Sequence, residues 1–128
     1  MEFKKIGETL VVLYCPEGKR AEILEIEYKN EVFQKQLNGY IDLKHFNNDP
    51  VALVCLIGAT DEENFINESP SRIIVDENDK ALISVGGSFI ISGFYEKNLN
   101  SLSDKMFEKY YNMLVEPITP EQENYLEP

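Results

Sequence analysis

Short apolar runs bounded by turn residues constrain the fold of this chain more than any other feature of its sequence. Two of them, "TLVVLYC" at 9–15 and "VALVCLI" at 51–57, contain almost no polar residue. Even with the two residues that follow it, the second run is about half the length of a membrane span. Short runs of this kind are typical of buried strands. The sequence therefore predicts a domain made mainly of strands, with 51–57 at its centre.

Turn-forming residues between the runs predict hairpins rather than crossovers. "PEGKR" separates 9–15 from the alternating run "AEILEIE" at 21–27, and "DENDK" separates "RIIV" from "ALISV". Proline, glycine, asparagine and aspartate each favour tight turns. "GGSFIISGF" at 86–94 supplies a last strand. We expect the strands to pair largely antiparallel.

Two segments have the apolar spacing of helices. The first covers about 30–38, and Gly39 is expected to end it in the left-handed conformation. The second covers about 103–115, where either Ser103 or Ser101 fits the N-cap position. Its apolar residues recur at helical spacing, which predicts a packed face.

Tyr40 stands at the joint between the first helix and the strand that follows it. Strict alternation along that strand puts Ile41 and Leu43 on one face and Tyr40 and Asp42 on the other. We expect the Tyr40 ring to cover the joint while its hydroxyl reaches a backbone group or solvent.

Together these elements predict one α+β domain over residues 1–115. Its architecture is expected to be a mainly antiparallel sheet of five to seven strands with two helices on one face. Residues 116–128 contain three prolines, four glutamates and no basic residue. This acidic, proline-rich tail is therefore expected to be extended or disordered.

The charge balance is the most unusual feature of the composition. The chain has 23 acidic and 12 basic residues, a formal net charge of −11. Such a chain repels phosphate backbones, so direct binding of nucleic acid is not expected. The short apolar runs and the absence of a signal-peptide pattern predict a cytoplasmic protein with no membrane segment.

The residue inventory offers little for catalysis. His45 is the single histidine, and it precedes a turn, where a packing or solvent-facing role fits it better than general-base chemistry. Cys15 and Cys55 lie inside apolar runs and are expected to be buried thiols, with a disulfide or a reactive thiol as the alternatives. No zinc spacing, calcium loop or phosphate-binding loop is present. The sequence predicts no enzyme, no metal and no cofactor.

Several short motifs occur in an order typical of one family. They are "GYIDL" after a short helix, "VALVC" before an acidic loop, "SPSR", "GGSFIISG" and "NSLSDKMFEKY". In this order, over roughly 9–114, the chain resembles the uncharacterised family called domain of unknown function 3846. Its members are small proteins of bacterial phages, plasmids and other mobile elements. The chain departs from the family at Ser71, where asparagine usually precedes the arginine. The resemblance implies a mobile-element setting and brings no established activity.

Charge and setting together suggest a function. A small acidic protein of a mobile element can present carboxylates in place of phosphates, as a DNA mimic, and occupy the basic groove of a host nuclease or other defence protein. We therefore expect a phage or plasmid protein of the anti-CRISPR or anti-restriction type that inhibits or modulates a host protein. The expected contact residues are carboxylates of an acidic loop and a nearby turn: Asp61, Glu62, Glu63, Glu68, Asp76, Glu77 and Asp79.

Two alternatives stay open. The acidic surface can serve solubility alone. Alternatively, Tyr40, Arg72 and the 58–71 loop form a pocket for a nucleotide signal, without catalysis. A contiguous acidic face favours mimicry, whereas even scatter around a concave pocket that contains the arginine favours ligand binding.

Overall fold

A computed structural model describes residues 8–46, 48–61, 72–76, 78 and 80–115. These residues form a larger and a smaller β-sheet with two helices. The elements, in chain order, are β1 Thr9–Cys15, β2 Glu22–Glu27, α1 Asn30–Leu37, β3 Ile41–Lys44, β4 Val51–Leu56, β5 Arg72–Val75, β6 Ala81–Val85, β7 Phe89–Tyr95, β8 Asn98–Asn100, α2 Asp104–Met113 and β9 Leu114–Val115.

The larger sheet has six strands in the order β2-β1-β7-β4-β3, with β8 also paired to β7. The smaller sheet has the order β6-β5-β9. Every strand pair within the described ranges is antiparallel. Strand β4 lies between β7 and β3, so the predicted interior position of this apolar run is confirmed. The α+β class and the predicted strand number of the sheet are confirmed as well.

The larger sheet buries apolar side chains on both faces, and each face has its own helix. One core contains Phe33 and Leu37 of α1, and the other contains Tyr110 of α2 together with Ile74 and Val85 of the smaller sheet. Alternate residues of the central strands divide between the cores: Leu10, Val12, Ala52, Val54 and Ile90 join the α1 core, and Leu13, Cys15, Leu53, Cys55 and Ile91 join the α2 core.

The prediction that both helices lie on one face is therefore wrong. Successive side chains of a strand point to opposite faces, and β1 and β4 are apolar on both. Covering one face alone would leave the other apolar face in water. The chain covers the second face with α2 and the smaller sheet.

Helix α1 ends differently from the prediction. Its left-handed residue is Asn38, with φ 62° and ψ 47°, and not Gly39. Asparagine tolerates this conformation better than most residues. Gly39 suits its position for another reason, because a Cβ atom there would lie 2.8 Å from Cδ2 of Leu56, which would have to move. The missing side chain leaves room for Leu56 of β4 beside the end of the helix.

Helix α2 confirms one of the two predicted N-caps. The Ser103 side chain accepts a hydrogen bond from the backbone N–H of Met106 at 3.2 Å. Ser101 has a different role, since its hydroxyl accepts from the N–H of Val11 in β1 at 2.9 Å. The helix ends at Met113, and the next two residues form β9. The predicted tail 116–128 and residues 1–7 of the predicted domain lie outside the described residues.

Candidate protein-binding site

Two large side chains stand exposed side by side at one end of the larger sheet. The C=O of Tyr40 accepts a hydrogen bond from the N–H of Ile57 at 3.1 Å, which extends the pairing of Ile41 with Leu56 by one residue pair. Opposite residues of an antiparallel pair project from the same face. Tyr40 is 75% exposed and Ile57 is 68% exposed. The ring therefore lies open to solvent, and the prediction that it covers the helix–strand joint is wrong.

The chain then turns sharply, and an acidic residue follows four positions after Ile57. Gly58 has a φ of 82°, and the N–H of Asp61 donates to its C=O at 3.2 Å. A residue from another part of the chain also bonds to this turn, since the N–H of Gly86 donates to the C=O of Ala59 at 2.8 Å. Asp61 is exposed. We refer to Tyr40, Ile57 and Asp61 as the Tyr40 site.

Close packing behind the site holds its backbone in place. The two methyl groups of Leu56 point toward two glycines, with Cδ2 at 2.8 Å from where a Cβ of Gly39 would be and Cδ1 at 3.6 Å from that of Gly87. Gly87 has a φ of 73°, a conformation that glycine adopts at little cost. Leu56 thus wedges between the segment before Tyr40 and the loop before β7. The exposed side chains of the site stand on a supported backbone.

The predicted acidic contact residues are brought together only in part. Asp61 ends the turn that is hydrogen-bonded to Gly86, the residue after β6. Asp76 lies at the other end of the β5–β6 hairpin, where the two strands are connected. Arg72 and Asp76 are four positions apart along an extended strand, a distance of about 13 Å. Asp76 has a structural role, because its Oδ1 accepts from the backbone N–H groups of Asn78 at 2.8 Å and Lys80 at 3.0 Å. The remaining predicted contact residues, Glu62, Glu63, Glu68, Glu77 and Asp79, lie outside the described residues.

The alternative pair, Tyr40 and Arg72, borders one turn. The backbone of Arg72 pairs with Val85, whose neighbour Gly86 is bonded to the 57–60 turn, and Tyr40 is bonded to Ile57 at the start of that turn. The structure describes only the backbone of Arg72. The two backbones therefore approach the same turn from two sheets.

The two cysteines are buried thiols, and the histidine packs against an aromatic ring. Cys15 and Cys55 are buried and are not joined in a disulfide. Burial, followed by the charge of Asp42, raises the pKa of the Cys55 thiol to about 11, so this thiol is protonated at neutral pH. His45 is exposed and packs edge-on against Phe94 at 4.8 Å between ring centroids. Among the described residues, no group of three histidine, cysteine or acidic side chains is placed to hold a metal ion.

Asp49 is an important residue that the sequence did not single out. Its Oδ2 accepts from Nζ of Lys109 at 2.6 Å and from the hydroxyl of Tyr110 at 2.5 Å. These two hydrogen bonds, the one from Lys109 first, lower the pKa of the Asp49 carboxyl. The contact ties the turn before β4 to α2. A proline follows Asp49, so the sequence "NNDP" indicated only a turn.

The charge excess is unevenly distributed along the chain. The described residues contain thirteen carboxylates and ten basic residues, a net charge of −3 out of −11. Residues 62–71, 77, 79 and 116–128 contain nine carboxylates and no basic residue. Three of the nine follow Asp61 within seven positions. The Tyr40 site is therefore continuous in sequence with one of the acidic segments.

No family model matches the chain, and neither a curated protein nor a solved structure matches it. The resemblance to domain of unknown function 3846 stays a prediction. In the part of the chain that the structure describes, no helix has the length and apolar character to cross a membrane.

Proposed function

We propose that this chain is a small cytoplasmic accessory protein of a bacterial mobile element that binds a host protein and inhibits or modulates it without catalysis. The favoured target is a nucleic-acid-handling defence protein, such as a CRISPR or restriction nuclease. The observation that carries the proposal is the Tyr40 site, where an exposed tyrosine pairs with an exposed isoleucine and a short turn leads from the isoleucine to an exposed carboxylate at the start of an acidic segment.

The apolar pair supplies an anchor for a partner. Tyrosine is enriched at interface hot spots because it offers a large rigid surface with a polar tip. Full burial of a side chain the size of Ile57 is worth about 1.5–3 kcal/mol. Both side chains are more than two-thirds exposed in the free protein, so a partner has most of that surface left to bury. The wedge of Leu56 fixes the backbone beneath them, which lowers the entropy cost of binding.

The carboxylates that follow Ile57 in the sequence favour a basic partner. Asp61, Glu62, Glu63 and Glu68 form an acidic run of chain without a basic residue. A nuclease groove lined with lysine and arginine attracts such a run as it attracts phosphates, and complementary fields accelerate the encounter. Together, the apolar anchor fixes where the partner binds and the carboxylates select a basic surface.

The experiment starts with capture of the target from a host lysate at low and at high salt, followed by binding measurements with the purified nuclease. The test variant carries Asp61→Lys, Glu62→Lys and Glu63→Lys. Its control carries Glu17→Lys, Glu25→Lys and Glu96→Lys, three exposed carboxylates elsewhere on the molecule that give the same change in net charge. We expect the test variant to lose more than tenfold in affinity for the nuclease and the control to lose much less. Equal losses would mean that only the overall charge matters and would contradict the assignment of this loop.

A second candidate function rests on the backbones of Tyr40 and Arg72 bordering the same turn. In this reading the chain binds a nucleotide signal, and the arginine contacts its phosphate. Calorimetry of the free protein with a set of mono- and cyclic nucleotides tests it. Tight binding that Arg72→Ala abolishes would replace the first proposal, whereas no heat with any of the nucleotides would remove this second one.

A further inference from the structure

Among the residues that the structure describes, strand β3 is the last strand in the order of the larger sheet, and its outer edge carries backbone N–H and C=O groups. The C=O of Tyr40 is bonded to Ile57 of the segment that continues β4. Because the backbone groups of successive residues point to alternate sides of a strand, Asp42 and Lys44 also face β4, whereas Ile41 and Leu43 face away. The N–H of Leu43 agrees with this, since within the described residues it donates to Oδ1 of its neighbour Asp42 at 2.9 Å.

The side chains of β3 alternate in a way that suits a second copy of itself. Asp42 and Lys44 lie on the α2 face and form an ion pair at 3.2 Å, and each side chain is about two-fifths exposed. Leu43 projects from the opposite face and is 43% exposed. The strand therefore presents an acid, an apolar residue and a base in succession.

We propose that two copies of this chain associate through their β3 edges, antiparallel, with Leu43 opposite Leu43 of the second copy on a twofold axis. The outward N–H and C=O groups of the two Leu43 residues then pair with each other. Asp42 comes to lie opposite Lys44 of the second copy, and Lys44 opposite Asp42. The six-stranded sheet of each copy continues into that of the other.

Charge selects this register over its neighbours. A slip of two residues in one direction places Asp42 opposite Asp42, and in the other direction Lys44 opposite Lys44. A slip of one residue would not bring outward-facing groups together. Directly opposed like charges destabilise a strand pair, whereas opposite charges stabilise it. Of these arrangements, only the one centred on Leu43 pairs the outward backbone groups and neutralises both charges.

The opposite edge of the sheet lacks this property. Strand β2 contains Glu22, Glu25 and Glu27 and no basic residue. An antiparallel pairing within Glu22–Glu27 of two copies therefore places no base opposite these carboxylates. Charged edges of this kind prevent sheet-to-sheet association. The contrast identifies β3 as the edge suited to a second copy.

The assembly has a geometric consequence for the Tyr40 site. Tyr40 lies three residues from Leu43 along the strand, so the two copies of Tyr40 would be about 20 Å apart in the strand direction. The twofold axis is perpendicular to the sheet, and it places both sites on the same face. The dimer itself does not depend on what the Tyr40 site binds.

Sedimentation equilibrium tests the proposal at protein concentrations up to ~1 mM, because a short edge-strand interface gives modest affinity. Wild-type protein should approach twice its mass of 14.7 kDa. Asp42→Lys and Lys44→Asp should each be monomeric alone, since each opposes like charges across the axis. Their equimolar mixture should restore the dimer, because one variant then supplies two bases and the other two acids. Glu25→Lys on the other edge is the control and should not change the mass.

Circular dichroism confirms that the variants are folded, and amide exchange supplies a readout on the wild type alone. Exchange of the Leu43 amide should slow at least severalfold between dilute and concentrated protein. A wild-type mass of 14.7 kDa at the highest concentration would overturn the proposal. Retention of the dimer by both single variants would overturn the register, as would failure of their mixture to associate.

Discussion

The two ends of strand β4 use similar residues for opposite purposes. Before the strand, Asp49 accepts hydrogen bonds from Lys109 and from Tyr110, whose side chain is fully buried. After the strand, Asp61 and Tyr40 are exposed. At the first end the carboxylate and the tyrosine bind each other across the fold. At the second end both are left for solvent or a partner.

This difference shows which polar side chains stabilise the fold and which do not. The Asp49 end joins a turn to α2, so those residues stabilise the native state directly. At the Tyr40 end, the backbone is held by Leu56, Gly39 and the bond from Gly86 to Ala59. Its exposed side chains therefore add little to stability. Side chains that the fold does not need for its stability are free to serve a binding function.

The largest difference in stability between the two ends is expected when their tyrosines are replaced. Tyr110→Ala removes a fully buried aromatic ring from the α2 core and should lower the free energy of unfolding by about 3–5 kcal/mol. Tyr40→Ala should change it by less than about 0.5 kcal/mol, since that ring is exposed. Urea denaturation of the two variants measures both values. Equal losses would erase the distinction between the two ends.

The glycines at the two ends sharpen the comparison. A Cβ at Gly93, which pairs with Val51, would lie 2.6 Å from the backbone oxygen of Ser101. That oxygen belongs to a fixed segment, so Gly93→Ala should cost about 2–3 kcal/mol. At Gly39 the obstructing atom is a methyl group of Leu56, which can rotate away. Gly39→Ala should therefore cost only about 1 kcal/mol. Thermal unfolding of both variants checks this order, and the reverse order would contradict it.

The pH dependence of stability isolates the Asp49 contact. Its hydrogen bonds lower the pKa of the carboxyl in the folded state, below the value of about 3.9 in an unfolded chain. The contact therefore stabilises the fold fully above pH 4, and the stabilisation is lost as the pH falls through the lower folded pKa. Asp49→Asn should reduce the acid sensitivity of the unfolding free energy between pH 5 and pH 2, relative to wild type. An unchanged pH profile would mean that Asp49 contributes little.

The sequence predicted the parts of the fold that local chemistry determines. The hairpin between 9–15 and 21–27, the interior position of 51–57 and the Ser103 cap each follow from residues close together in the chain. The placement of α2 on the face opposite α1 did not follow from local chemistry. It depends on which face of β1 and β4 is already covered, and neighbouring residues do not encode that.

The candidate site was predicted only in part for a similar reason. The sequence marks Tyr40 as unusual at its joint, but the exposure of its ring depends on contacts between distant segments of the chain, which the sequence pattern does not give. Ile57 belonged to the most apolar run and was expected inside. Its exposure arises because it is the first residue past β4. The sequence does not reveal the contact of Asp49, because its partners lie about sixty positions further along the chain.

The smallest effects on stability are expected at the Tyr40 site. Tyr40→Ser combined with Ile57→Ser should leave the unfolding free energy within about 0.5 kcal/mol of wild type. The matched control combines Tyr95→Ser, at a tyrosine that is 67% exposed, with Ile23→Ser, at an isoleucine that is 62% exposed. Thermal melts of the two double variants should coincide with that of wild type. A fall of several degrees in the first alone would show that the site packs against the rest of the chain.

The affinity of these same two double variants for the captured nuclease tests the central claim most directly. If the Tyr40 site is the contact surface, Tyr40→Ser with Ile57→Ser should weaken binding by about 2–4 kcal/mol, or thirtyfold and more. Tyr95→Ser with Ile23→Ser should leave the dissociation constant within a factor of about three. Wild-type affinity in the first variant would contradict the account, as would an equal loss in the second.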